Sequence, residues 1–271
     1  MNIFEAIIYG FIQGVSEFLP VSSSGHLALL PHIMKIKDPG VVFDLMMHLG
    51  TGLAVLIYFR KDIWRYAKTF TPSLMNLKVG GADRWFVRNF ILSTFSSVCL
   101  IVLLIPVSKF ARDPLIIVTN LTVFGVFLWL SDRYNRNHKK PLVEPMEQKL
   151  QLKLAIFIGL SQALAIFPGV SRSGITLTTA LFAGMSRKEA GAYSFLLSLP
   201  IIMAGILKEV PDIVKEGNQD QFIVLLAGVI SSFIVGWLTI HFFMKLIARL
   251  HLGYFTLYRI MVAILMLFVV L

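Results

Sequence analysis

The sequence predicts an all-α fold, a polytopic transmembrane helical bundle built as an antiparallel inverted repeat of two halves, each with one re-entrant broken helix pair and three full spans. Three observations predict it. Mean hydropathy is +0.77 with only 15% charged residues, six apolar runs approach the about 20 residues that cross a bilayer, and a segment rich in proline and serine recurs without a gap. With 56% of residues hydrophobic, most of the apolar surface has to face lipid.

The chain opens with MNIFEAIIYGFIQG, which lacks the basic n-region and cleavage site of a signal peptide, carries Glu5 where such a peptide carries Lys or Arg, and reads as mature sequence. Pro20 and the serine run before Gly25 interrupt the helical pattern, and LALLPHIM resumes it, so residues of about 1–33 are expected to enter the membrane and return. Full spans are expected at roughly 41–59, 90–107 and 114–131. A second interrupted segment at about 152–186 breaks at Pro168 and Gly169, and spans follow at roughly 190–207, 222–244 and 253–271. Residues 1–149 and 150–271 are then the two halves of one integral membrane domain.

Charge sets the orientation. The loop from 60 to 88 carries Arg60, Lys61, Arg65, Lys68, Lys78, Arg84 and Arg88 against Asp62 and Asp83, and the loop from 132 to 151 carries Arg133, Arg136, Lys139, Lys140 and Lys149. Both are expected in the cytoplasm, while the acid-rich segment from 208 to 220 is expected outside and Lys245 and Arg249 inside. These assignments place both termini outside. The net charge of +10 is spread over loops between apolar runs, which argues for topogenic signals and against a nucleic-acid partner. The single cysteine, Cys99, lies in an apolar run and is expected as a buried small hydrophobe.

The repeat aligns GFIQGVSEFLPVSSSGH at 10–26 with GLSQALAIFPGVSRSGI at 159–175, an offset of 149, and seven positions are identical. An odd number of crossings between the copies inverts the second. Inverted repeats with broken helices place their site near the midplane, where two helix N-termini with unpaired N–H groups converge, an arrangement suited to an anion.

Glu17, four residues after Gln13 and three before Pro20, is costly in an apolar segment unless partnered. It either neutralises a buried arginine or serves as a metal ligand or proton carrier. Ser22, Ser23 and Ser24 suit helix capping, and His26, three residues after Ser23, is placed to act as base for a serine nucleophile or as acid for a leaving group. Arg172 offers a planar fork for phosphate oxygens or for Glu17. Ser171, Ser173 and Thr176, with the Gly169 and Gly174 backbone, complete a possible cradle. Asp44 and His48 share a helical face and either pair together or support the site. No nucleotide-binding GxxxxGK, HExxH or CxxC pattern occurs.

These motifs resemble those of the BacA-type undecaprenyl-pyrophosphate phosphatases, the bacitracin-resistance proteins. QGVSE at 13–17, FLPVSSSGH at 18–26, PGVSRSGIT at 168–176 and FDLMMHLGTGLAVLIYF from Phe43 are all similar to the family's segments, so the resemblance covers essentially the whole chain. It implies hydrolysis of undecaprenyl pyrophosphate to undecaprenyl phosphate and inorganic phosphate at the outer face of a bacterial inner membrane. That reaction recycles the lipid carrier of peptidoglycan synthesis and confers bacitracin resistance. The resemblance further implies a divalent cation, Mg²⁺ or Ca²⁺, handled by Glu17 with Gln13, and a catalytic pair of Ser23 and His26. Arg172 would hold phosphate together with Ser22, Ser24, Gly25, Ser171, Ser173, Gly174 and Thr176. The partners are the lipid pyrophosphate and the bilayer, and a homo-oligomer is left open. The rival class is a lipid-phosphate transporter or flippase using the same anion site, but transport alone needs no nucleophile.

Overall fold

The computed structural model describes residues 1–75, 81–137, 151–215 and 219–270, which contain helices and no strand. Eleven α-helices follow in order among them: α1 Ile3–Phe18, α2 Ser23–Met34, α3 Val41–Tyr58, α4 Arg60–Met75, α5 Ala82–Ser108, α6 Pro114–Asn137, α7 Leu152–Ala163, α8 Arg172–Phe182, α9 Arg187–Lys215, α10 Gln219–Leu246 and α11 Gly253–Val270. Six of them, α3, α5, α6, α9, α10 and α11, are long and apolar enough to span a membrane, matching the six expected runs. At 1.5 Å per residue, α1, α2, α7 and α8 reach only about 16–24 Å, short of the roughly 30 Å hydrocarbon core.

The start of α1 explains Glu5. Asn2 accepts a hydrogen bond from the Glu5 N–H at 2.9 Å, and the Glu5 carboxylate accepts one from the Asn2 N–H at 2.8 Å, a reciprocal capping box. At the other end the backbone turns extended at Leu19 and Pro20 prevents continuation. The expected loop from 60 to 88 is largely helical, occupied by α4 and the start of α5. Lys78, Lys139, Lys140, Lys149 and the side chains of 208–220 lie outside the described residues. Cys99 is exposed, not buried. Its neighbours Phe95, Val102 and Leu103 are exposed apolar residues on the same helix, and lipid accommodates a small apolar side chain as readily as a core does.

The two halves interlock. α1 lies along α10, which also packs on α3, while α7 packs along α5. Each short helix thus docks on spans from the other half of the chain. Gly14 permits the first contact: a Cβ there would stand 2.8 Å from the Gly236 backbone nitrogen. Phe18 then meets Phe195 of α9 edge to face at 5.1 Å, tying the end of α1 to that span.

At the basic end of the bundle, fully buried Asp132 of α6 accepts from Arg187 Nε at 2.7 Å and from the Leu252 N–H at 3.2 Å, and pairs with Arg136 at 3.6 Å. One carboxylate therefore ties α6, α9 and the entry to α11.

Candidate active site

Both broken segments make the same turn. Ser22 and Ser171 adopt positive φ values of 73° and 72°, and each hydroxyl accepts from the N–H of the glycine three residues on, Gly25 at 3.4 Å and Gly174 at 3.1 Å. Positive φ is costly for a residue with a Cβ and is tolerated where the surroundings enforce it. The first residues of the helices that follow are Ser23 and Arg172, which occupy equivalent positions in the repeat. A hydroxyl and a guanidinium thus stand at the first positions of the two helices that follow these turns.

The turns are cross-bonded. The Gly169 N–H donates to Ser24 Oγ at 3.3 Å, and Ser173 Oγ donates to the Leu19 carbonyl at 3.1 Å. Behind them lies Arg259 of α11, fully buried. It donates to the carbonyls of Leu121, Pro20, Asn120, Gly169 and Val170 at 2.8–3.3 Å, gripping both turns at once. Sequence reading did not single it out, although a lone arginine within an apolar span was the available signal.

In front of the turns is a cavity of about 290 Å³ whose polar lining includes Glu17, Ser23, Ser24, His48, Ser171 and Arg172. Glu17 is its centre. One carboxylate oxygen is ion-paired with Arg172. The other accepts from Ser23 Oγ at 2.7 Å and from Gln13 Nε2 at 3.0 Å, and His48 Nε2 stands 3.4 Å away. Arg172 also donates to the Ser198 carbonyl of α9 at 3.1 Å. The His48 Nδ1 donates to the Asp44 carbonyl at 2.7 Å, which aims the ring at Glu17. Asp44 therefore supports the site through its backbone.

The expected pairing of Ser23 with His26 is not the geometry found. His26 Nδ1 donates to the Ser22 carbonyl at 2.7 Å, Nε2 accepts from the Tyr258 hydroxyl at 2.7 Å, and the rings stack with centroids 5.5 Å apart. Ser23 is turned to the other side, toward Glu17. Several expected phosphate ligands are likewise engaged within the protein. The Gly25 and Gly174 N–H groups are taken by the caps, Ser173 by Leu19, and Thr176 Oγ1 bonds the Arg172 carbonyl at 2.8 Å and Ser194 Oγ at 2.6 Å. Ser22 is buried beneath its cap. What faces the cavity is Ser23, Ser24, Ser171 and Arg172, at the positive ends of α2 and α8.

A hard divalent cation takes oxygen ligands, and Mg²⁺ commonly uses one or two carboxylates with the rest from substrate phosphates and water. Here Glu17 supplies a carboxylate, and Gln13 Oε1 beside it is buried without a hydrogen-bond partner. Among the described residues no three His, Cys, Asp or Glu gather at one point. The residues therefore fit a cation shared with an anionic substrate rather than one caged by protein.

Comparison with known proteins agrees over nearly the full length. The family model described as bacitracin resistance protein BacA matches residues 6–265. An undecaprenyl-diphosphatase of Geotalea daltonii is 37% identical over 263 residues, covering 96% of this chain and 95% of that protein. One from Gemmatimonas aurantiaca is 35% identical over 97% of this chain and 96% of its own, and one from Campylobacter concisus is 36% identical over 99% of each.

Proposed function

The chain belongs to the BacA bacitracin-resistance family, and from that premise we propose that Glu17, Ser23 and Arg172 form the catalytic centre of its activity. It is an integral membrane undecaprenyl-diphosphatase, a phosphoric anhydride hydrolase releasing inorganic phosphate and undecaprenyl phosphate, with the cell-wall and bacitracin-resistance roles of its family. The observation that carries the residue assignment is the Ser23 hydroxyl donated to Glu17 at 2.7 Å, with Arg172 held on the same carboxylate. Nucleophile, base and phosphate-binding cation meet in one cavity.

Phosphoryl transfer asks the protein mainly for positioning and charge stabilisation. The diphosphate takes the Arg172 guanidinium, and the N-termini of α2 and α8 face its oxygens. Ser23 Oγ attacks the terminal phosphorus while its proton passes to Glu17, the bond to the bridging oxygen breaks, and lipid monophosphate departs with the electron pair. Water then attacks the phosphoserine. Glu17, having passed the first proton to the departing lipid monophosphate, takes one from the water and returns it to Ser23 Oγ. Mg²⁺ or Ca²⁺ held by Glu17 and Gln13 would supply neutralisation of phosphate charge. His26 braces the turn from behind, and His48 adjoins the base.

The orientation is part of the same reading. Arg133, Arg136, Arg187, Lys245 and Arg249 cluster toward one end of the bundle, the end retained in the cytoplasm. His48 lies seven residues from the start of α3 at Val41, and Ile101 of the cavity wall seven from the end of α5 at Ser108, each about 10 Å from the opposite end. The cavity thus opens toward the outer face, with both termini outside.

Phosphate release from undecaprenyl diphosphate by the purified protein, with Mg²⁺, with Ca²⁺ and with chelator, tests the whole reading. Cation-dependent release lost in Ser23→Ala and Arg172→Ala is expected. No release from folded wild-type protein would favour lipid transport instead.

A further inference from the structure

A second cavity, of about 730 Å³, lies between α4, α5 and α9, within the roughly 300–1,000 Å³ typical of ligand pockets. Its wall is apolar and aromatic, with Phe86, Phe90 and Phe95 of α5 facing Leu196, Leu199 and Pro200 of α9, and Ile63, Tyr66 and Ala67 of α4 at its far end. Two hydroxyls in that wall are already engaged: Thr94 donates to the Phe90 carbonyl at 3.0 Å, and Tyr66 accepts from Arg65 at 2.8 Å. Nothing in it invites a polar ligand.

Its position relative to the catalytic cavity is the telling point. Val98 lines the apolar cavity and Ile101, one turn on along α5, lines the catalytic one. On α9, Leu199 and Pro200 line the first and Ile201 and Ile202 the second, while the Ser198 carbonyl just before them holds Arg172. The two cavities therefore adjoin along the groove between α5 and α9. Phe95 and Val98 are also exposed, so the groove opens sideways along the face that lipid covers.

We propose that this groove is the binding site of the substrate's polyprenyl tail, running from the diphosphate at Arg172 down between α5 and α9 to α4. The proposal rests on the phosphatase reading. It commits to a long isoprenoid chain because the groove adjoins an anion site at one end, is walled by apolar side chains and runs from Val98 to Phe86, about 18 Å of α5. The α4 end makes it a length gauge: a chain of three isoprene units engages only the upper part near Val98 and Ile101, whereas a longer one reaches Ala67.

The test compares kcat/KM for undecaprenyl diphosphate with that for farnesyl diphosphate. Val98→Trp and, at the far end on exposed Ala67, Ala67→Phe fill the groove from two helices, so one misfolded variant leaves the other informative. Ala67→Phe is expected to lower the long-to-short ratio of kcat/KM by about tenfold, the worth of roughly two buried methylenes, and Val98→Trp to impair the long substrate at least as much. A long-to-short ratio within twofold of wild type in folded Ala67→Phe, or a kcat/KM for the long substrate within twofold of wild type in folded Val98→Trp, overturns the groove assignment. Wild-type protein that turns over neither substrate overturns the phosphatase reading, and the groove with it.

Discussion

Glu17 grips the Arg172 guanidinium with one carboxylate oxygen and the Ser23 hydroxyl with the other. Base and phosphate ligand are therefore partners before substrate arrives, and a diphosphate has to exchange places with Glu17 on Arg172. That exchange binds the anion and frees the carboxylate in one event. Arg172→Ala is expected to lower kcat/KM by about 10²–10³, as for other lost transition-state donors. Arg172→Lys should recover little, because an ammonium lacks the planar fork that reaches both Glu17 and the Ser198 carbonyl. Steady-state phosphate release decides it, and near-normal turnover in Arg172→Ala would remove Arg172 from the mechanism.

Ser23 and Ser24 both line the cavity, yet only Ser23 bonds the base. Ser23→Ala should lose about three orders of magnitude or more in kcat, and acid quenching of wild-type turnover with terminally labelled diphosphate should leave label on Ser23. Ser24→Ala deletes the acceptor for the Gly169 N–H, a loss of about 1 kcal/mol in stability, with activity kept within about tenfold. Label absent from Ser23, with turnover intact, would point to direct attack by water.

His26 and Glu17 make different predictions for pH dependence. His26 is spent on the Ser22 carbonyl and Tyr258, so His26→Gln should lower thermal stability and reduce kcat while the acidic limb of the kcat–pH profile keeps its position. Glu17→Gln should lower kcat by about 10²–10⁴ and abolish that limb, because the group whose deprotonation creates the base is gone. A profile that shifts in His26→Gln and persists in Glu17→Gln would reverse the two roles.

The pattern of legibility follows from which forces act locally. Six spans were readable because length and hydropathy are properties of consecutive residues, and the two breaks because proline and a serine run disrupt helices wherever they occur. The Ser23–His26 pairing failed for a geometric reason. Spacing of three puts two residues on one side of a helix, but His26 folds back to the carbonyl four residues before it, while Ser23 at the helix start points across to α1. The contacts of α1 with α10 and of α7 with α5 are long-range packing, foreshadowed only by small residues such as Gly10, Gly14, Gly228 and Gly236. His48 reached the site by the same kind of packing, since nothing in FDLMMHLGTG says which neighbour the ring will meet.

Arg259 is the strongest test of how the site is held. Its guanidinium spans Pro20 of the first turn and Gly169 and Val170 of the second, while Leu121 and Asn120 of α6 anchor it. Those turns carry Ser23 and Arg172, so the separation of nucleophile and phosphate ligand depends on a residue that lines neither cavity. Arg259→Met preserves much of the volume but strips five carbonyls of a donor, of which those of Asn120 and Leu121 keep their places in the α6 ladder while those of Pro20, Gly169 and Val170 lie in the turns. With about 1–3 kcal/mol for each buried polar group left unpaired and partial relaxation between them, a net loss of roughly 3–5 kcal/mol is expected, or about 10 °C in Tm. Arg259→Lys keeps the charge with three donors and no fork, so its loss should be smaller. Displaced turns misalign the attack, so Arg259→Lys should lower kcat more than it alters KM. Thermal melts in detergent and steady-state kinetics on both variants provide the check. Wild-type Tm and kcat in Arg259→Met would mean that the Ser24–Gly169 and Ser173–Leu19 bonds suffice to hold the turns.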